Sequence, residues 1–277
     1  MTRALLHPLI LLTALLWLAA GPAAADLSKT RQLMALIRFD AAMERFSSSG
    51  AEALETEVQG LPDQVATALA TLWSRHFEAR SLIAEITASV AADLSDDQRD
   101  ALLALYATPQ ALRITEIEAA AQSGAAREAR GAEAEDLLAR LQEAGDPRLA
   151  LHDRRARATD AVEVSVVSGL NSTYAMLAAM MGSPRFPQVL DDAQLLALVN
   201  SLEPRLRAEA EREIAMAAAY TYRDLTEAEL SDYAELMEGE GPSALYAAVN
   251  RAMERIVVER ARRFGAAAME ATGARDI

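Results

Sequence analysis

Two stretches 131 residues apart begin and break alike, and they limit what this chain can fold into more than any other feature. They are Leu94–Ala121, LSDDQRDALLALYATPQALRITEIEAAA, and Leu225–Ala252, LTEAELSDYAELMEGEGPSALYAAVNRA. Ser95 aligns with Thr226 and Gln98 with Glu229, so each stretch opens with a capping box. There the hydroxyl and the side chain three residues on satisfy amides that have no partner in a helix's first turn. Leu105 then aligns with Leu236, Ile114 with Leu245 and Ala121 with Ala252. Both stretches break midway, at Thr108-Pro109 and at Gly239-Glu240-Gly241-Pro242. The pattern reads as a duplicated helical hairpin, with Leu105 and Leu236 expected inside. A two-helix unit cannot bury its apolar face alone. Each copy is therefore expected to pack on the helix before it and on a central helix over Pro147–Met181.

Composition supports an all-α fold, a multi-helix bundle built from that hairpin pair around the central helix. Ala, Leu, Glu and Arg favour helix, and the β-branched and aromatic residues that favour strands are few. There is no cysteine, so stability must come from packing rather than disulfides.

Residues 1–25 have the parts of a secretory signal: basic Arg3, an apolar run from Ala4 to Ala20, and Ala23-Ala24-Ala25 before Asp26. The run falls short of the roughly 20 apolar residues that cross a bilayer and contains His7, Pro8 and Thr13. The expectation is cleavage near Ala25/Asp26, a periplasmic or otherwise secreted product, and no stable membrane insertion afterwards. Without Arg3 the chain has 41 acidic against 26 basic residues, a net charge of −15. Such a surface repels nucleic acid and anionic lipid. Beyond the signal the chain divides into residues 26–145, an N-terminal helical half with the first copy, and 146–277, the central helix and a C-terminal half with the second.

Ser28 is expected to cap a helix carrying Leu33, Leu36, Phe39, Met43 and Phe46, interrupted at Ser47-Ser48-Ser49-Gly50. A short helical piece, Ala51–Gln59, ends at Gly60. After Pro62 a long segment through Val65, Leu69, Leu72, His76, Ile83, Ile86 and Val90 is expected to bend near Phe77–Ser81. Gly145-Asp146-Pro147 spells helix end, cap and helix start, as Thr108-Pro109 does for cap and start. Gly169 is expected to admit a close neighbour. Asp191 should cap a helix over Ala193–Leu202, and Pro204 should start another reaching about Arg223.

The exported start resembles a known family, as do LYATP at Leu105–Pro109 with Ile114 and Glu118 beyond it, AGDPRLAL at Ala144–Leu151, GLNSTYA at Gly169–Ala175 and the closing LSDYAELMEG…ALYAAV. That family is the bacterial proteins of domain-of-unknown-function family 2059. The resemblance covers most of the chain after the signal and implies an all-helical envelope or periplasmic protein. Ala111 and Pro242 stand where the family's hairpin often has glycine, and Gly239-Glu240 replaces Thr-Pro in the second copy.

The chain lacks the usual reactive constellations. After the signal only His76 and His152 remain, without zinc-ligand spacing, and there is no phosphate-binding glycine loop, no G-x-S-x-G elbow and no cysteine nucleophile. Neither a catalytic residue nor a metal or cofactor is therefore expected. His76 reads as a packed histidine on an apolar stripe, and His152 as part of a solvated Arg-rich turn (Arg148, Arg154, Arg155, Arg157) whose charges pair internally. Glu116 and Glu118 fall on different faces of one helix, which argues against a hydrolytic carboxylate pair. Tyr174, Met176 and Met180 form the candidate binding groove, because methionine adapts to varied apolar partners. The first functional reading is a non-catalytic protein-interaction or chaperone-like factor whose partner is another envelope protein. The second is a small-molecule or lipid binder with an apolar cavity between the halves, and the third a carboxylate-dependent hydrolase.

Overall fold

The computed structural model describes residues 21–56, 63–121, 124–180 and 190–271, and among them all regular structure is helical. The helices are α1 (Gly21–Leu36), α2 (Phe39–Thr56), α3 (Asp63–His76), α4 (Ala79–Asp93), α5 (Asp96–Tyr106), α6 (Pro109–Ala121) and α7 (Gly124–Ala144). They continue with α8 (Arg148–Ala158), α9 (Ala161–Met180), α10 (Asp192–Asn200), α11 (Glu203–Thr221), α12 (Glu227–Glu238) and α13 (Glu240–Ala271). None is long and apolar enough to cross a membrane among the described residues.

Most boundaries form where local chemistry calls for them. Ser95 and Thr226 both make full capping boxes, with Gln98 and Glu229 reaching back to the cap amides at 2.9 and 2.8 Å. The Ala111 amide donates to the Thr108 hydroxyl at 3.3 Å, so Thr108 caps α6 ahead of Pro109. Asp191 caps α10 through a capping box with Gln194. Gly145, at φ 58°, ends α7, and the Asp146 amide closes back on the Leu141 carbonyl at 2.9 Å. Asp146 then accepts the Arg148 amide at 2.9 Å. The expected bend near Phe77 is a full break, after which Glu78 caps α4 by accepting from the Arg80 and Ser81 amides. Residues 57–62, with Gln59, Gly60 and Pro62, lie outside the described residues.

Several expectations are corrected. The first helix breaks at Arg38 (φ 55°), Ser28 lies inside α1, and α2 runs unbroken through Ser47–Gly50. The small residues there form a bed for Trp73. A Cβ on Gly50 would stand 2.1 Å from the indole, and Trp73 Nε1 donates to the Ser47 carbonyl at 3.0 Å. The central helix is likewise two, α8 and α9, divided at Asp160 (φ 51°). The Thr159 hydroxyl folds back on the Arg155 and Ala156 carbonyls, and its own carbonyl accepts from Asn250 Nδ2 at 3.1 Å. Gly169 faces Leu206 on α11, where a Cβ would sit at an ordinary 3.5 Å, so no glycine is demanded.

The stretches 131 residues apart keep their register but turn by one position. Leu105 and Leu236 are only half-buried. Their neighbours Tyr106 and Met237 are buried and touch, with the phenol oxygen 3.9 Å from the sulfur. Leu102 and Tyr233, Ile114 and Leu245, and Ala121 and Ala252 are buried as aligned pairs.

α13, about 48 Å long at about 1.5 Å per residue, packs on α3, α4 and α9. It joins one hydrophobic cluster running from Leu33 and Phe77 to Leu245, Ile256 and Phe264. Trp73 stacks on Phe77 at 4.1 Å and meets Phe264 edge-on at 5.6 Å. Two buried arginines close helix ends. Arg99 Nη1 donates to the carbonyls of Ala91 and Leu94 at the end of α4. Arg260 donates to the His76 carbonyl, Ser81 Oγ and Glu85.

Candidate binding crevice and a buried polar cluster

α9 and α13 run side by side in the same direction, and their facing stripes do not close on each other. On α9 the stripe is Val164, Val167, Asn171 and Tyr174, at the three- and four-residue spacing that keeps one helical face, and Asp160 precedes it at the α8–α9 break. Asp160, Val164, Val167 and Asn171, with Ala247, Asn250, Glu254 and Val257 of α13, line a cavity of about 410 Å³. A second cavity of about 230 Å³ continues from it between α9, α10 and α13, reaching Tyr174, Leu196 and Arg262. The two share Val167 and Asn171, so they form one crevice. From Asp160 to Tyr174 it extends about 20 Å.

The floor of the crevice is aliphatic and its lips are charged. Glu163 pairs with Arg207, and Arg251 with Asp93 at 3.0 Å. Asp160 and Glu254 are exposed and form no ion pair among the described residues. At the far end the Tyr174 phenol donates to Asp192, a contact that raises the phenol's pKa. The candidate Tyr174 thus lines the crevice, while the side chains of Met176 and Met180 lie outside the described residues. The crevice is built within residues 146–277 rather than between the two halves, because α9 packs on α10, α11 and α13.

A second constellation escaped the sequence reading. Glu118 of α6 accepts from Tyr222 Oη at 2.5 Å and from Tyr233 Oη at 2.7 Å, both on Oε1. Tyr106 and Tyr246 stand beside them. In all four phenols burial is the largest influence raising the pKa. The phenols therefore stay protonated donors, and the cluster holds α6, α12 and the α11–α12 link together rather than supplying a nucleophile.

His152 belongs here and not to a solvated turn. It is 6% exposed, on α8, and its ring stacks on Tyr222 at 5.8 Å. Burial first, then the charges of Arg155 and Arg148, push its pKa down to about 4. Arg155 lies 5.2 Å from the centre of the same Tyr222 ring. The buried atoms His152 Nδ1 and Arg155 Nε have no hydrogen-bond partner among the described residues. The other arginines of α8 meet the expectation in part: Arg148 pairs with Asp146 at 2.8 Å and Arg154 with Glu238 at 2.6 Å. His76 packs edge-on against Phe264 at 6.4 Å.

One signal could have exposed the cluster. Glu118 lies four residues after Ile114 and three before Ala121, an acid on the apolar stripe of α6. Among the described residues no group of three or more His, Asp or Glu could hold a metal ion. Comparison with protein-family models, with curated proteins and with solved structures finds no match to this chain.

Proposed function

We propose that this chain is an exported, non-catalytic interaction protein that holds an apolar segment of another envelope protein in the α9–α13 crevice. The crevice carries the reading. Its volume is in the range of ligand sites, its floor is apolar, its lips are exposed, and its length matches several turns of a bound helix. An enclosed cavity would have favoured a small lipid, and two facing buried carboxylates a hydrolase; the one carboxylate in the polar cluster instead faces tyrosines. Export rests on the signal-like residues 1–25. The matched caps at Ser95 and Thr226 and the shared burial pattern support descent of the two hairpins from a duplication.

A photo-crosslinking residue placed at Val167 tests the reading in cells, with a control at exposed Glu143 on α7. The expected result is a discrete protein adduct from position 167 and none from 143. Lipid-only adducts at 167, or equal labelling at both positions, refute it. N-terminal sequencing of the exported form should begin near Asp26, and an intact Met1 in the membrane fraction refutes export.

A further inference from the structure

We infer that the segment seated in the α9–α13 crevice is a basic amphipathic helix, with its cationic residues over the Asp160–Glu254 end. This rests on the proposal that the crevice takes a protein segment and adds the charge and direction of that segment. Shape is the first argument. A straight apolar trough about 20 Å long between two helices accepts a helix whose side chains repeat at i, i+4 and i+7.

Charge is the second. Once Glu163 is taken by Arg207 and Arg251 by Asp93, the larger part of the crevice keeps Asp160 and Glu254 without an ion pair among the described residues. Asp160 stands just before the start of α9 on one wall and Glu254 on the α13 wall. A cation lying between the walls meets both. At the smaller end Arg262 forms no ion pair among the described residues, and Asp192 is engaged by Tyr174. The lips are therefore acidic at the larger end and carry the Arg262 cation at the smaller, so a bound helix has a preferred direction. The whole chain, at −14, attracts a basic partner from a distance as well.

Three fluorescent 14-residue peptides test this, identical in leucine positions and carrying Lys, Gln or Glu elsewhere. Each is titrated into the mature chain at low and moderate salt, with anisotropy as the readout. The lysine peptide should bind at least about tenfold tighter than the glutamine peptide and lose that margin in salt. The double variant D160N/E254Q should weaken the lysine peptide by about 3- to 10-fold and leave the glutamine peptide unchanged. D136N/E143Q, on exposed acids of α7, should alter neither. Val167→Trp, which fills the trough, should abolish binding of all three while the helical circular dichroism spectrum is kept.

Equal binding of lysine and glutamine peptides that V167W abolishes would overturn the charge inference and leave the crevice reading standing. An equal loss in D136N/E143Q would show general attraction by an acidic surface and overturn it as well. Binding that survives V167W, or binding of laurate but of no peptide, would overturn the crevice reading itself.

Discussion

Acidification should destabilise this protein through His152 before its paired carboxylates titrate. The ring is 6% exposed, stacked on Tyr222, and flanked by Arg155 and Arg148, with Asp146 as a counter-charge. Its folded pKa is about 4, against about 6.5 for an unperturbed histidine. A base with a depressed folded pKa is protonated first in the unfolded chain. Stability is therefore full above about pH 6.5, falls as pH drops through the interval, and levels off below about pH 4. At about 1.4 kcal/mol per unit, the loss approaches ~3 kcal/mol. Asp146 and Glu229, both held down at about 2, withdraw their stabilisation below this interval. The perturbation is His152→Phe, which keeps an aromatic ring against Tyr222 and cannot titrate. Urea melts of parent and variant at pH 7.0, 6.0, 5.0 and 4.5 give the difference, in a His76→Gln background because burial lowers that histidine too. The parent should lose about 2–3 kcal/mol more than the variant over this span. Parallel pH profiles would refute the reasoning.

Other outcomes follow from single contacts. Glu118→Gln and Glu118→Leu should each cost about 1–3 kcal/mol, because Tyr222 and Tyr233 lose a charged acceptor; an unchanged denaturation midpoint refutes this. Gly50→Ala should cost about 1–3 kcal/mol and shift tryptophan fluorescence, since the new methyl collides with Trp73; an unshifted spectrum with full stability refutes it. Leu102→Ala and Met237→Ala should cost about 2–5 kcal/mol, with visibly smaller losses for half-buried Leu105→Ala and Leu236→Ala. Ser95→Ala and Thr226→Ala should each cost about 1 kcal/mol in the same melts, and clearly unequal losses would mean the two caps are not equivalent.

What the sequence determined was local. The caps at Ser95, Thr108, Asp191 and Thr226, the helix end at Gly145 and the all-helical class depend on residues within one or two turns of each other, and all are present in the fold. Tyr174 lines the crevice because it continues the stripe of its own helix. The misses came from partners far along the chain. Ser47–Gly50 looks like punctuation until Trp73, on the next helix, is laid across it. His152 looks solvated because α8 is the most polar stretch of the chain's second half, yet Tyr222 covers it from about 70 residues away. Leu105 and Leu236 align as inward positions, but which side of α5 and α12 faces inward depends on the helices packed against them, chiefly α1 for α5 and α8 for α12. The α9–α13 crevice is a property of two stripes that fail to interlock, and a single strand of residue periodicity carries no information about the width of a gap between helices.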